Sequence, residues 1–495
     1  MSDSIRVRFA PSPTGYLHVG GARTALFNFL LARHHRGSFI LRIEDTDRSR
    51  YQESACEEIY KSLRWLGMEW DEGPEKGGDF GPYVQSQRLD GYQEHARMLI
   101  DTGHAYRCFC SPERLAQMRK EQEDAGKQHV RGYDRHCRSL TKEEVAGRLA
   151  AHAPHVIRLK IPDNREIAFT DQIRGEISYQ SEVLDDLVLL KADGFPTYHL
   201  ASVVDDHLMR ISHVLRGEEW IASTPRHVLI YEAFGWKMPE IAHLPVILAP
   251  GGGKLSKRKG AAGVFDYKHA GYLPEALFNF LALLGWSPGD DRERMSKQEI
   301  IDAFTLDKVN PKAAVFDEQK LIWMNGVYLA DAPVAALRDE AMRLWHEKGL
   351  ISDDYDDEYV NKIIAMMKGR SKKLTELAEN TTYFFKDPKE YDPRGVKKHF
   401  KASAHHVLQQ IQSMLSECAN FEATSLEQTF KSYSEKHELP LGKMVHPVRL
   451  AVSGVTFGAG LFEMLELIGK DATRRRIDKA LHFLNEKYGD SNEKT

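Results

Sequence analysis

A stiff loop set between a strand and a helix is the tightest constraint on this chain. Residues 11–21 read PSPTGYLHVGG, and Pro11 and Pro13 exclude a helix or a central strand there. Before the loop, Ile5, Val7 and Phe9 alternate with Arg6 and Arg8, which predicts a short strand with one apolar face. After it, Ala22, Ala25, Leu26, Phe29 and Leu30 recur at helical spacing. A helix is expected over 21–37, with Gly37 as its C-cap. FILRI at 39–43 reads as a second strand and runs into EDTD. Strand, glycine loop, helix, strand is a βαβ unit of an open parallel sheet, and such sheets bind ligands beyond the carboxyl ends of their strands. Arg8, His18 and Glu44 all fall at that edge.

The α/β rhythm breaks near Tyr106, where YRCFCSPERL opens a less regular stretch that reaches about Gln180 and reads as an insertion. Asp185 to Trp220 restores it: ISHVLRG is a strand with Arg216 at its carboxyl end, and LPVILAPGGGKLSKRKG is a strand followed by a glycine- and lysine-rich loop. From about Asn325 the pattern is helical, with basic clusters KGRSKK, RGVKKHFK and TRRRIDK. The formal charge of −4 excludes a uniformly basic nucleic-acid coat but leaves room for a local basic face. Five cysteines, Cys56, Cys108, Cys110, Cys137 and Cys418, form no disulfide framework, which fits a reducing, cytoplasmic setting. The opening residues lack the apolar core of an export signal. The apolar stretches are too short to span a bilayer, so no membrane partner is expected.

Gly20 and Gly21 at a helix start let backbone amides approach a phosphate, and the helix dipole favours the anion. The plain alternative is a tight turn capped by His18. Gly251 to Gly253 suggest a hinge, and Lys254, Lys257, Arg258 and Lys259 concentrate positive charge beside it; alone, that is a solvated loop. It is no Walker P-loop, because Leu255 follows Lys254 where that motif needs Ser or Thr.

Taken together, HVGG and the distant KLSKR resemble the paired signature motifs of class I aminoacyl-tRNA synthetases. RFAPSPTGYLHVGGARTALFNFLLA, RIEDTD, YHLASVVDDHL, VLRGEEW and FDEQKLIWMNG narrow the resemblance to the bacterial-type glutamyl-tRNA synthetase family. Both motifs depart from the general HIGH and KMSKS forms: the first ends in Gly21, so His18 alone can play the histidine role. The resemblance implies a multidomain fold: an α/β Rossmann-like catalytic domain with an inserted α+β domain, then all-α C-terminal domains. The expected segments are 1–107 and 185–250 for the two catalytic halves, 108–184 for an acceptor-end-binding insertion, 251–325 for a stem-contact region with the KLSKR loop, and 326–495 for a helical anticodon-binding region.

It further implies glutamate–tRNA ligase activity with L-glutamate, ATP and tRNA(Glu) as substrates, Mg2+ beside ATP, and a monomer. His18, Gly20, Gly21, Lys254, Ser256, Lys257 and Arg258 would bind ATP, with His18, Lys254 and Lys257 catalytic. Arg8 with Tyr198 would hold the side-chain carboxylate of glutamate, Arg216 the α-carboxylate and Glu44 the ammonium, with Ser12 lining the site. Asp45 and Asp47 could contact a ligand, with helix capping after Thr46 as the plainer expectation. Arg370, in what reads as a helical stretch, would read the third anticodon base. Cys108, Cys110 and Cys137 resemble a zinc knuckle of some members, but the position of the fourth ligand is Ser139, a poor one, and His136 lies on the wrong side; less than one zinc per chain is expected. Charging of tRNA(Gln) as well, glutamylation of a tRNA base and non-catalytic tRNA binding stay open as alternatives. The long C-terminal region disfavours the second, and the intact His18 and Lys257 disfavour the third.

Overall fold

The computed structural model describes residues 4–47, 49–124, 132–255, 262–352 and 355–488. They divide into two compact units: Met1–Tyr267 with Leu277–Asp317, and Lys268–Ala276 with Glu318–Thr495.

In the first unit the expected βαβ start is present. Strand β1 (Arg6–Phe9) and strand β2 (Ser38–Leu41) pair in parallel, with Arg8 opposite Ile40. Helix α1 (Val19–His34) connects them, and its apolar face, Ala22, Ala25, Leu26, Phe29 and Leu30, is buried. The helix stops before Gly37: His35 is the C-cap, and Arg36 takes the left-handed conformation at φ 53. Gly37 is needed for a different reason. Its Cβ position is occupied by the carbonyl oxygen of Ile5, the residue that leads into β1.

The next strands in chain order are β3 (Ala105–Cys108), β4 (Val156–Leu159), β5 (Glu166–Asp171), β6 (Gly175–Gln180), β7 (Val188–Leu190), β8 (His213–Gly217) and β9 (Glu240–Leu244). β3, β4 and β7 make a separate antiparallel sheet that runs past the expected bounds of the insertion on both sides, since β3 begins at Ala105 and β7 ends at Leu190. The main sheet continues from β1, because the Ser212 amide donates to the Arg6 carbonyl at 2.9 Å and leads into β8. β8 pairs in parallel with β9, and β5 joins β9 in parallel with Asp171 opposite Ile241; β6 closes that edge as a hairpin. So residues 166–180, expected to lie wholly within the insertion, pair with the main sheet.

The second unit is helical. Among the described residues no strand follows Val315. Its core is a single apolar cluster that includes Trp345, Ile364, Phe400, Phe430 and Leu465. Part of the TRRRIDK cluster is internal bracing. Arg476 is buried and donates to the carbonyls of Tyr383 and Val452, and both Arg475 and Arg476 pair with Asp387.

Candidate active site

A cleft of about 1300 Å³ opens at the carboxyl ends of β1, β2 and β8. Arg8, Ser12, His18, Gly20, Gly21, Glu44, Tyr198, Arg216 and Lys254 all line it, so the structure brings the expected residues together from five separate stretches of chain. Ser256, Lys257 and Arg258 lie outside the described residues.

His18 is the N-cap of α1. Its Nδ1 accepts from the Gly21 amide at 3.1 Å. The capping reading and the functional one are therefore compatible. An accepting Nδ1 leaves the neutral ring with its proton on Nε2, so the cap selects the tautomer that donates from the far nitrogen. A Cβ on Gly20 would sit 3.0 Å from the ring, which is why glycine follows closely here.

Beneath the cleft floor lies a chain of buried charges that the sequence reading did not anticipate. Arg8 Nε donates to Asp206 Oδ1 at 3.0 Å; Arg42 donates to the same oxygen at 2.7 Å and to Glu44 Oε1 at 2.9 Å. Asp205 is held by Arg88 at 2.7 Å, by Gln85 at 2.9 Å and by the Tyr92 hydroxyl at 2.8 Å. Burial pushes the Glu44 carboxyl up against the opposing pull of Arg42. Burial acts the same way on Asp206, but Arg8 and Arg42 outweigh it and hold that carboxyl below its usual range. The adjacent acids inside the apolar run YHLASVVDDHL were the available signal, since buried carboxylates need partners.

Arg216 contrasts with this. It is 5% exposed, and among the described residues no carboxylate lies within ion-pair distance of it. Its partners are neutral: Thr224 Oγ1 at 2.8 Å, His243 Nε2 at 3.0 Å, the Tyr198 hydroxyl at 3.0 Å, His227 Nδ1 at 3.4 Å and the Trp220 carbonyl at 3.4 Å. Burial and the guanidinium together push the His227 imidazole well below its ordinary value. Tyr198 thus bonds to Arg216, whereas the resemblance grouped it with Arg8. Its ring also lies 4.3 Å from that of Trp220.

The glycine loop is a tight turn. Gly252 and Gly253 take φ of 85 and 76, and the Leu255 amide returns to the Ile247 carbonyl at 2.8 Å. Lys254 reaches Glu219 at 3.2 Å. Asp45 and Asp47 are not helix caps: the next helix begins at Glu53 with Gln52 as N-cap. Asp45 accepts from the Ser86 amide at 2.8 Å, and Asp47 closes a turn onto Ser49 and Arg50, both at 2.6 Å.

In the insertion the three thiols converge, all within 4.8 Å of one another, with Cys110 and Cys137 Sγ 3.6 Å apart. The Tyr133 hydroxyl lies beside them, 3.2 Å from Cys108 Sγ and 3.4 Å from Cys110 Sγ, and accepts the Cys137 amide at 2.9 Å. A tetrahedral zinc with bonds of about 2.3 Å spaces its sulfurs about 3.8 Å apart, close to the Cys110–Cys137 separation. Burial and the neighbouring Cys137 push the Cys110 thiol up to about 11.

In the second unit Arg370 is exposed and bonds to the Met366 carbonyl at 2.8 Å. It sits in a 3-10 turn, Lys368–Arg370, after the helix Asp357–Met367 ends; the continuous helix expected there is broken by extended Ser371. Lys368 is tied to the Ala332 carbonyl at 2.7 Å and Lys373 lies over the Tyr272 ring, whereas Lys372 is exposed.

Comparison with known proteins decides the family. The description "tRNA synthetases class I (E and Q), catalytic domain" matches residues 4–323, and "Anticodon binding domain" matches 334–481. The chain belongs to the class I glutamate–tRNA ligases. The glutamate–tRNA ligase of Moorella thermoacetica is 44% identical over 98% of this chain and 99% of its own length. That of Dehalococcoides mccartyi strain 195 is 46% identical over 98% and 99%. The crystal structure of a glutamate tRNA ligase from Elizabethkingia meningosepticum in complex with its amino acid superposes with a TM-score of 0.91, at 40% identity, over 97% of this chain and all of that one. No helix among the described residues is long and apolar enough to cross a membrane.

Proposed function

We propose that this glutamate–tRNA ligase activates L-glutamate with ATP and transfers it to the 3′ end of tRNA(Glu). The observation that carries the reading is Arg216, a buried cation at the edge of a cleft whose partners among the described residues are all neutral. A buried charge without a counter-ion costs several kcal/mol, and an anionic ligand offsets that cost. The α-carboxylate of glutamate supplies the anion, Arg8 meets the side-chain carboxylate and Glu44 the ammonium. In the first step a carboxylate oxygen attacks the α-phosphorus of ATP, and pyrophosphate leaves with the electron pair of the broken P–O bond. In the second, a terminal ribose hydroxyl attacks the acyl carbon, losing its proton, and AMP leaves. No enzyme nucleophile is needed; the chain supplies positioning and stabilisation of phosphate charge. The donating Nε2 of His18, the amides of Gly20 and Gly21 and the cations Lys254, Lys257 and Arg258 are assigned to ATP, with Mg2+ beside it.

Cys108, Cys110, Cys137 and Tyr133 are assigned to zinc, which would cross-link the insertion. This replaces the expectation built on Ser139. Arg370 is assigned to the anticodon. All five cysteines are free, in keeping with a reducing, cytoplasmic setting. The test is charging of tRNA(Glu) and tRNA(Gln) transcripts with glutamate. Absence of glutamyl-tRNA(Glu) would overturn the proposal, and charging of both would make the enzyme non-discriminating.

A further inference from the structure

Arg216 is held from behind by two fully buried groups that do not line the cleft. Its Nε–H donates to His243 Nε2 at 3.0 Å, and His243 Nδ1 lies 2.6 Å from Asp171 Oδ2. Because His243 accepts at Nε2, its proton is on Nδ1 and is donated to Asp171. The same carboxylate oxygen also accepts the His243 amide at 3.0 Å, and Asp171 Oδ1 accepts the amides of Ile173 and Arg174, both at 3.0 Å. Every acceptor site of Asp171 used here is thus tied to a rigid part of the fold. His243 and Asp171 are 0% and 1% exposed.

The strand geometry explains how the three groups meet. His243 stands opposite Arg216 in the β8–β9 ladder, and Asp171 ends β5 on the far side of β9. The tip of the β5–β6 hairpin reaches the site a second time, since Arg174 pairs with Glu218, two residues beyond Arg216.

We propose that Asp171 and His243 are positioning residues for glutamate recognition: the dyad fixes the plane of the Arg216 guanidinium so that its terminal nitrogens face the α-carboxylate. The inference rests on the reading of Arg216 as a glutamate contact. A guanidinium has a fixed fork geometry, and binding a carboxylate bidentately demands a set orientation of its plane. Tyr198 and Thr224 accept from the terminal nitrogens that the carboxylate would engage, whereas His243 takes the Nε–H on the side away from the ligand. His243 is clamped at both nitrogens and so can define the orientation.

The test is steady-state charging of tRNA(Glu) by the full chain, with glutamate and ATP titrated separately. His243→Leu removes the acceptor at roughly constant volume. It is expected to raise the glutamate KM by at least about tenfold, with the ATP KM and kcat at saturating glutamate within about threefold of wild type. His243→Gln places an amide oxygen near the lost Nε2 and is expected to restore the glutamate KM to within about threefold. A merely structural role would lower kcat or raise both KM values and would not be rescued by glutamine. If His243→Leu fails to fold, Asp171→Asn carries the test. Its amide would donate to Nδ1, force the proton onto Nε2 and set a donor against Arg216, raising the glutamate KM; because that amide also faces the His243 backbone N–H, stability falls with it, and the glutamate KM relative to the ATP KM is the readout. An unchanged glutamate KM in the folded variant, or equal losses for leucine and glutamine, overturns the proposal. Arg216→Gln is the control: if it leaves the glutamate KM unchanged, the pocket reading fails, whereas a raised KM there with unaffected dyad variants sinks only the dyad.

Discussion

Arg216→Gln separates a binding role from a structural one, because the two predict opposite balances of activity and stability. The wild-type side chain makes no ion pair among the described residues, so its removal breaks none. Its two longest contacts, to His227 and to the Trp220 carbonyl, both at 3.4 Å, are the ones a carboxylate would displace. Two charge-assisted hydrogen bonds at about 1.5–2 kcal/mol each amount to about 3–4 kcal/mol. At about 1.4 kcal/mol per power of ten, glutamate kcat/KM should fall by two to three powers of ten. Stability should change by little, because the hydrogen bonds lost are set against the relief of burying a cation without a counter-ion. Arg42→Met is the reference for a true structural cation. It is 0% exposed and leaves Asp206, Glu44 and Asp205 without their shared partner, which should cost about 3–5 kcal/mol. Glutamate titration at saturating ATP and tRNA gives the first quantity, and urea unfolding the second. A glutamate kcat/KM within threefold of wild type, or an Arg216→Gln stability loss equal to that of Arg42→Met, refutes the reasoning.

Arg370→Gln should narrow the preference for tRNA(Glu), whose third anticodon base is C, over tRNA(Gln), where it is G. A donor-only side chain matches the acceptors of unpaired cytosine, and the base swap should cost about 1–3 kcal/mol. Exposed Lys372→Ala should weaken both tRNAs alike and flatten the salt dependence, as a phosphate contact does; equal losses on both tRNAs for Arg370→Gln would demote it to the same class. Purified chain should carry one zinc, and Tyr133→Phe should lower its retention against a chelator by about tenfold or more, as metal analysis after dialysis reports; retention unchanged by the substitution removes Tyr133 from the ligand set. Asp387→Asn should destabilise the helical unit at neutral pH. The bonds from Arg475, then Arg476, hold that carboxyl well below its usual range. A depressed folded value means the stabilisation is present above the unfolded value near 4 and is lost as pH falls toward the folded one. The gap between variant and wild type in urea unfolding should therefore shrink on acidification from pH 7 to below 3, and a gap that does not change refutes the assignment.

How much of this was legible before the structure depended on whether a partner lies near in the chain. The first strand, the helix after it and the strand ends carrying Arg8, Glu44 and Arg216 follow from local periodicity and loop chemistry, and they stand where expected. The side chains that hold those groups do not. Arg42 meets Asp206 and Asp171 meets His243 only because parallel strands bring distant segments side by side. The approach of Tyr133 to the thiols is hidden for a related reason: the knuckle pattern places its fourth ligand past Cys137, while the Tyr133 hydroxyl comes from the chain before it. Gly37 shows the same limit locally. Its position suggested a cap, yet the constraint comes from Ile5 across the sheet edge.

The charge balance of the cleft carries the argument on selectivity one step further. In the chain from Arg8 through Asp206 and Arg42 to Glu44, each guanidinium touches a carboxylate and each carboxylate a guanidinium. That half of the site is neutral before a ligand arrives. With the proposed roles, glutamate adds one carboxylate at Arg8 and one ammonium at Glu44, so the balance holds, and its α-carboxylate answers the unmatched Arg216. Glutamine would satisfy Glu44 and Arg216 equally well. The difference falls entirely on Arg8, where an amide offers one neutral acceptor and one donor to a group that only donates. A neutral bond in place of a charge-assisted one forfeits about 1 kcal/mol, and a donor facing a donor adds about 1–3 kcal/mol of unsatisfied polar group. That difference requires Arg8 to hold one orientation, because a guanidinium free to swing would find the amide oxygen and avoid its nitrogen. Asp206 fixes Arg8 through Nε, and Arg42 fixes Asp206 from a fully buried position. On the proposed roles, the choice of amino acid would rest on a residue that does not line the cleft, and the cost of burying Arg42 is offset by the three carboxylates it holds.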